Sequence, residues 1–248
     1  DEAGLSETER MVVDQVSQEV LHRLQNLLDV GLAYLTLDRA AMSLSGGEAQ
    51  RVRLAAQLGS QLSGVIYILD EPSIGLHQRD NEKLIQTIKR LRDLGNTVIV
   101  VEHDQAVMEA ADYLIDIGPG AGEYGGEVIA AGTLAEVKKS KESTTAPYLT
   151  GKKQVETPAT RRKGSGKALR IKGATAFNLK NIDVAIPLGA FVCVAGVSGS
   201  GKSTLILGIL GRALSNHFYG TKEPIGAHAA IEGIEHVDKV VSVDQSPI

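Results

Sequence analysis

Among the 248 residues there is a single cysteine, Cys193. That excludes an internal disulfide and a cysteine-rich zinc site. Tryptophan is absent and aromatic residues make up only 4%. No apolar run approaches the ~18–20 residues that a membrane-spanning helix needs, so a bilayer span is excluded. No basic-then-apolar leader opens the sequence. Positive charge is not in surplus either: the formal net charge is −4, which excludes a bulk nucleic-acid polycation. What the chain does have is 43% hydrophobic and 23% charged residues, enough apolar material for a sizeable core. Its length fits one large domain or two small ones. Glycine is in excess, 27 of 248 against a background of ~7%, and its lack of periodicity excludes collagen.

The hydrophobic pattern alternates between helix and strand. Ser6 and Glu9 fit a capping box, and Val12, Val16, Val20, Leu24, Leu27 and Leu28 recur at helical spacing as far as Gly31. Residues 64–69 (GVIYIL), 97–101 and 113–117 are short apolar runs expected as strands, the first two buried, with a helix over 78–94 between the first pair. A second series follows: strands over 169–173, 182–186, 191–195 and 240–243, and a helix over 202–214. Strands alternating with helices predict an α/β fold with a parallel sheet. The expected organisation is 1–142, a linker at 143–167, and 168–248. From Lys152 to Lys180 nine lysines and arginines face one acid, Glu156, a local balance of +8. Such a stretch reads as a solvated linker or as a phosphate-contacting arm.

Gly196-Val197-Ser198-Gly199-Ser200-Gly201-Lys202-Ser203 fits G-x-x-x-x-G-K-[ST] between an apolar run and a helical pattern. Its glycines let backbone N–H groups turn toward phosphates, and the helix start adds partial positive charge. Lys202 supplies a point charge to the β/γ-phosphates and the Ser203 hydroxyl a Mg²⁺ ligand. Residues 66–71 (IYILDE) end an apolar run in two acids: Asp70, suited to hold Mg²⁺ through its water shell, and Glu71, suited to orient or deprotonate water. Glu102-His103-Asp104 caps the next strand, at the end where ligands collect in parallel sheets. Ser45, Gly46 and Gly47 precede an apolar helix and permit close approach to an anion; plain helix capping explains them equally. Gly120 to Gly125 fits G-x-G-x-x-G but opens no helix, so it reads as turns.

Residues 44–51 (LSGGEAQR), 68–77 (ILDEPSIGLH) and 101–104 (VEHD), in this order, resemble the signature, Walker B, D-loop and switch-histidine series of ABC-type ATPases. With DIGPGAGEYGGEV, NLKNIDVAIPLG, GVSGSGKSTLI and VDQSPI, the wording resembles the UvrA family, the damage-sensing ATPases of bacterial nucleotide excision repair. The resemblance covers nearly the whole chain. It implies a P-loop NTPase fold of ABC type and a cytoplasmic protein acting on damaged double-stranded DNA. Its partners would be UvrB and a second copy of the parent protein, with no membrane. The motif order departs from a single module, because the phosphate loop follows the signature and Walker B instead of preceding them. The chain therefore resembles the back half of one module followed by the front half of the next, with Gln245 as the second Q-loop.

The resemblance further implies ATP contacts from Gly196, Val197, Ser198, Gly199, Ser200, Gly201, Lys202, Ser203, Thr204 and Gln245. A signature contact from Ser45, Gly46 and Gly47, with the Ser73–Gly75 loop, would complete that composite site. Mg²⁺ would rest on Ser203, Gln245 and Asp70, and catalysis on Glu71 and His103, with Asp70, Glu71 and His103 in the opposite site. No zinc site is expected in this segment. Phe177 lies near, but out of register with, the family's adenine-stacking aromatic. With both sites incomplete, the isolated chain is expected to bind ATP weakly and hydrolyse it little. A transporter ATPase subunit or a non-catalytic nucleotide-binding piece are the alternatives.

Overall fold

The computed structural model describes residues 6–41, 44, 46–59 and 62–243. The chain divides into two units, Asp1–Glu156 and Thr157–Ile248.

In the first unit, α1 (Glu7–Asp29) starts at the expected capping box: Ser6 Oγ accepts from the Glu9 amide at 3.4 Å, and the Glu9 carboxylate accepts from the Ser6 amide at 2.8 Å. The valine stripe of its first turns is exposed, and only its far end, from Asn26 to Val30, enters the core. There it meets α2 (Gly46–Gly59), β1 (Ile66–Asp70), α3 (Gln78–Asp93) and β2 (Thr97–Val101). Leu54, Leu58, Tyr67, Leu84 and Leu91 form this core with Val30 and Leu32. Leu84 and Leu91 are fully buried, each a contribution of about 1.5–3 kcal/mol.

β1 and β2 pair in parallel, with Asp70 opposite Val101. Asn96 fixes this geometry. Its amide donates to the Leu62 and Leu91 carbonyls at 2.8 and 2.9 Å, and its oxygen accepts from the Val65 amide at 3.0 Å. That ties the end of α3 to the start of β1. The expected burial of these strands holds for one face only: Tyr67, Leu69 and Val98 meet the core, while Ile66, Ile68, Ile99 and Val101 are exposed.

After α4 (Gln105–Ala110), β3 (Leu114–Gly118) and β4 (Glu127–Gly132) pair antiparallel, so the parallel expectation fails here. The eight-residue connection is too short for a parallel crossover. It contains the G-x-G-x-x-G segment, wound as a 3₁₀ turn over Gly122–Tyr124, as its lack of a following helix foretold. Two short helices, α5 (Leu134–Val137) and α6 (Ala146–Leu149), complete the unit. The start of the stretch expected as linker is thus folded. The Ser143 and Thr145 hydroxyls donate to the Asp116 carboxylate, and Ser143 Oγ accepts from the Ala146 amide at 2.8 Å. Residues 151–167 carry no helix or strand.

The second unit is a three-stranded antiparallel sheet in the order β6–β5–β7, from β5 (Ala168–Ala174), β6 (Ile182–Pro187) and β7 (Ala230–Glu232). The seven-residue β5–β6 connection again forbids a parallel crossover. Leu169 and Ile171 of β5 pack on Leu205, Ile209, Leu210 and Leu214. These come from a helix wound in π form over Thr204–Gly211 and continued as α7 (Arg212–Tyr219). Two expected strands are not formed. Residues 191–195 and 240–243 have no ladder partner among the described residues, and Phe191 is 99% exposed. A strand exists only through a neighbour that takes its N–H and C=O groups.

Candidate nucleotide site

The phosphate loop lies where the sequence places it, immediately ahead of the long helical stretch of the second unit. Its curl depends on left-handed backbone at Gly196, Gly199 and Gly201, with φ of 151°, 74° and 100°. At Gly201 a side chain is doubly excluded, since a Cβ there would sit 2.8 Å from Leu179 Cδ2 and 3.0 Å from Asn178 Oδ1. Lys202 folds back over the loop, and its ammonium donates to the Gly196 and Val197 carbonyls at 2.7 and 2.8 Å. The positive charge is therefore held against the loop's own carbonyls. Ser198 Oγ is buried without a partner. Ser203 and Thr204 occupy the first helical turn, with Ser203 exposed. The donor set fits a polyphosphate: backbone amides, one ammonium and two hydroxyls around one concave turn.

Asn178 and Leu179 pack on this loop, next to Phe177, the aromatic expected near the site but out of register. Asn178 Nδ2 donates to the Gly199 carbonyl at 2.9 Å. Phe177 is 94% exposed and sits at φ 52°, a left-handed conformation costly for an aromatic residue.

In the first unit, the parallel pairing of β1 and β2 brings Glu71 beside His103. The Glu71 amide donates to the Val101 carbonyl at 2.9 Å. Glu71 Oε1 lies 3.6 Å from His103 Nδ1, so the two residues expected to act together are adjacent. Glu71 takes a left-handed φ of 44°, strain held at the strand end. Both side chains remain open to solvent, and the Asp70 carbonyl accepts from Gln50 Nε2 at 2.8 Å.

Glu102, which sequence spacing gave no role of its own, organises this end. One oxygen accepts from the Ser73 amide at 2.8 Å, and the other from the His103 and Asp104 amides at 2.9 and 3.1 Å. Partial burial alone would raise its pKa, but the bonds from Ser73, Asp104 and His103 outweigh it and hold the carboxyl below its ordinary value. Asp104 in turn caps α4 through the Ala106 and Val107 amides at 3.0 and 3.1 Å.

Gly46 and Gly47 begin α2, and Gly47 abuts the 73–75 loop so closely that a Cβ would lie 2.7 Å from the Ile74 carbonyl oxygen. Nearby, the Tyr34 hydroxyl donates to Glu48 at 2.7 Å. Burial, aided by that bond, pushes the phenol up to about 12. Ser45 and Gln245 lie outside the described residues. Among the described residues no three His, Cys, Asp or Glu side chains gather as a metal site.

A glycine-lined phosphate loop ahead of a helix, and acid and histidine side by side at the ends of parallel strands, define a P-loop ATPase fold of ABC type. No protein-family model matches the chain. It is 58% identical over 247 residues to UvrABC system protein A of Clostridium tetani, and 57% identical over 249 residues to that of Thermus thermophilus, covering 100% and 99% of this chain. The crystal structure of UvrA2 from Deinococcus radiodurans superposes with a TM-score of 0.89 at 42% identity, over 100% of this chain and 29% of that one. The chain belongs to the UvrA family. It spans about a quarter of the length of the curated relatives it matches.

Proposed function

We propose that the chain is the nucleotide-handling centre of a DNA-damage recognition ATPase of nucleotide excision repair, which loads UvrB onto damaged double-stranded DNA and works as a homodimer of the parent protein. The observation that carries the reading is the Lys202 ammonium held by two loop carbonyls, where incoming phosphate oxygens can replace them. Ser203 offers the hydroxyl for Mg²⁺, which supplies charge neutralisation between the β- and γ-phosphates. Glu71 is the group that orients or deprotonates the attacking water, and His103 steadies its carboxylate. Ser45, Gly46, Gly47 and Gln245 complete the assignment by family resemblance.

The division of roles follows the module boundary. The 1–142 segment is the later part of one ABC module and carries acid and histidine without a phosphate loop. The 168–248 segment is the earlier part of the next and carries the phosphate loop without an acid pair. The chain by itself therefore binds ATP weakly and turns it over little. Titration of the 248-residue chain with fluorescent ATP and Mg²⁺ tests this. Weak binding that disappears in Lys202→Ala is expected. Binding unchanged in that variant refutes the assignment, and rapid hydrolysis abolished by Glu71→Gln refutes the incompleteness of the sites.

A further inference from the structure

We propose that the exposed cationic segment from Lys152 to Lys167 is a binding strap for the phosphodiester backbone of duplex DNA. The proposal rests on the functional reading above and assigns that reading a contact it does not contain. Lys152, Lys153, Arg161, Arg162, Lys163 and Lys167 are all exposed, and Glu156 is the only acid among them. Several cations elsewhere are held by carboxylates: Arg23 by Glu19, Arg90 by Asp29, Arg92 by Asp93 and Asp112, Lys138 by Glu109, Lys172 by Asp183, and Arg212 by Glu223. None of the six strap cations has an acidic partner among the described residues. The chain as a whole is −4 and the 152–180 stretch +8, so the remainder carries −12. Positive potential is thus concentrated on one segment of an otherwise acidic chain, where a polyanion is attracted to it and repelled elsewhere.

The backbone suits this ligand. Between Lys153, whose amide donates to the Pro147 carbonyl, and Ser165, whose amide donates to the Leu188 carbonyl, residues 154–164 carry no helix or strand, so at ~3.3–3.6 Å per residue this part of the strap can reach about 35 Å. Over such a length duplex DNA presents one charge per ~1.7 Å of axis. Residues 152–167 hold no Phe, Tyr, Trp or His, and the exposed rings of Tyr148 and Phe177 lie outside the strap. The strap itself therefore offers no stacking platform of the kind on which single-stranded nucleic acid binding relies. An insertion face for lipid is missing too, because Val155 is the only large apolar side chain from 152 to 167. What remains is sequence-independent contact with paired, closely spaced phosphates.

The test compares the 248-residue chain with a variant carrying K152A, K153A, R161A, R162A, K163A and K167A, by fluorescence anisotropy on a labelled 30-base-pair duplex across a salt series. Each engaged cation contributes about 0.9 to the slope of log affinity against log salt. The variant is therefore expected to lose up to about 5 from that slope, and at least tenfold in affinity at ~50 mM salt. Its circular dichroism should be unchanged, because these side chains bury nothing. Equal slopes and affinities overturn the strap while leaving the functional reading standing. Failure of the unaltered chain to bind duplex at any salt concentration overturns the strap and removes support for the DNA part of that reading. Tighter binding to single-stranded DNA of the same length, or to phosphatidylserine vesicles, overturns the choice of ligand.

Discussion

Glu102→Gln is the sharpest probe of how the 71–75 loop is coupled to the segment at His103. The substitution keeps shape and volume but removes the charge and one of two acceptor oxygens. In the native chain the two oxygens take three amides, from Ser73, His103 and Asp104, at 2.8–3.1 Å. A glutamine oxygen can serve one side, and its NH₂ then faces N–H groups on the other. Hydrogen bonds to a charged partner contribute about 1.5–3 kcal/mol. Solvent access to this partly buried carboxylate reduces that, leaving a local cost of about 1–2 kcal/mol. In an opening equilibrium this is a factor of about 5–30.

Amide hydrogen exchange reads the effect directly at Ser73, His103 and Asp104, without assuming that two units unfold together. At pH 7 those three amides should exchange about 5–30 times faster in the variant. The pH dependence has a fixed sign. A carboxyl held below its ordinary value of 4.5 in the folded chain contributes stability above pH 4.5 and loses it as pH falls through the lowered folded value. The ratio of variant to native exchange must therefore shrink toward one under acid conditions, and comparison of two chains differing only here cancels the other carboxylates. Equal exchange at pH 7, or a ratio that persists undiminished once Glu102 is protonated, refutes the clasp.

Gly47→Ala places a Cβ 2.7 Å from the Ile74 carbonyl oxygen; the backbone must shift, and a loss of about 1–3 kcal/mol is expected by thermal denaturation. A stability equal to the native chain refutes the close packing of α2 on the 73–75 loop. Phe177→Ala removes a side chain that is 94% exposed and should change stability by no more than about 0.5 kcal/mol. If the ring covers the base of a nucleotide bound at the loop it flanks, the same variant loses several-fold in ATP affinity, measured by the fluorescent-nucleotide titration. Unchanged affinity removes Phe177 from the site.

The parts of this protein that were legible in the sequence are those whose chemistry is local. Lys202 reaches carbonyls five and six residues away, so a motif eight residues long contains the whole interaction. The α1 capping box spans four residues. Glu71 and His103 are 32 positions apart, and only the family resemblance put them in one site; in the structure the parallel pairing of Ile66–Asp70 with Thr97–Val101 brings them together. Glu102 was missed for the opposite reason. A charged residue at a strand end beside a histidine looks like a solvated edge, and only the fold of residues 71–75 brings the Ser73 amide to it.

Strand pairing marks where sequence reasoning stops. A continuous apolar run such as GVIYIL implies cover on both faces, whereas Ile68 is 72% exposed and only the Tyr67 face is packed. The run at 191–195 is similarly apolar and forms no strand. These are failures of partnership rather than of propensity: among the described residues no neighbour takes the N–H and C=O groups of 191–195, and none covers the outer face of β1. The antiparallel pairings err in a different way, since an apolar run specifies burial but not direction, and direction is imposed by connections of seven or eight residues. The same reasoning explains why the loop geometry at 196–203 persists beside an unformed strand. Its curl is held by glycine backbone, by the Lys202 ammonium and by Asn178, all within the second unit, and none of these interactions requires the sheet to be complete.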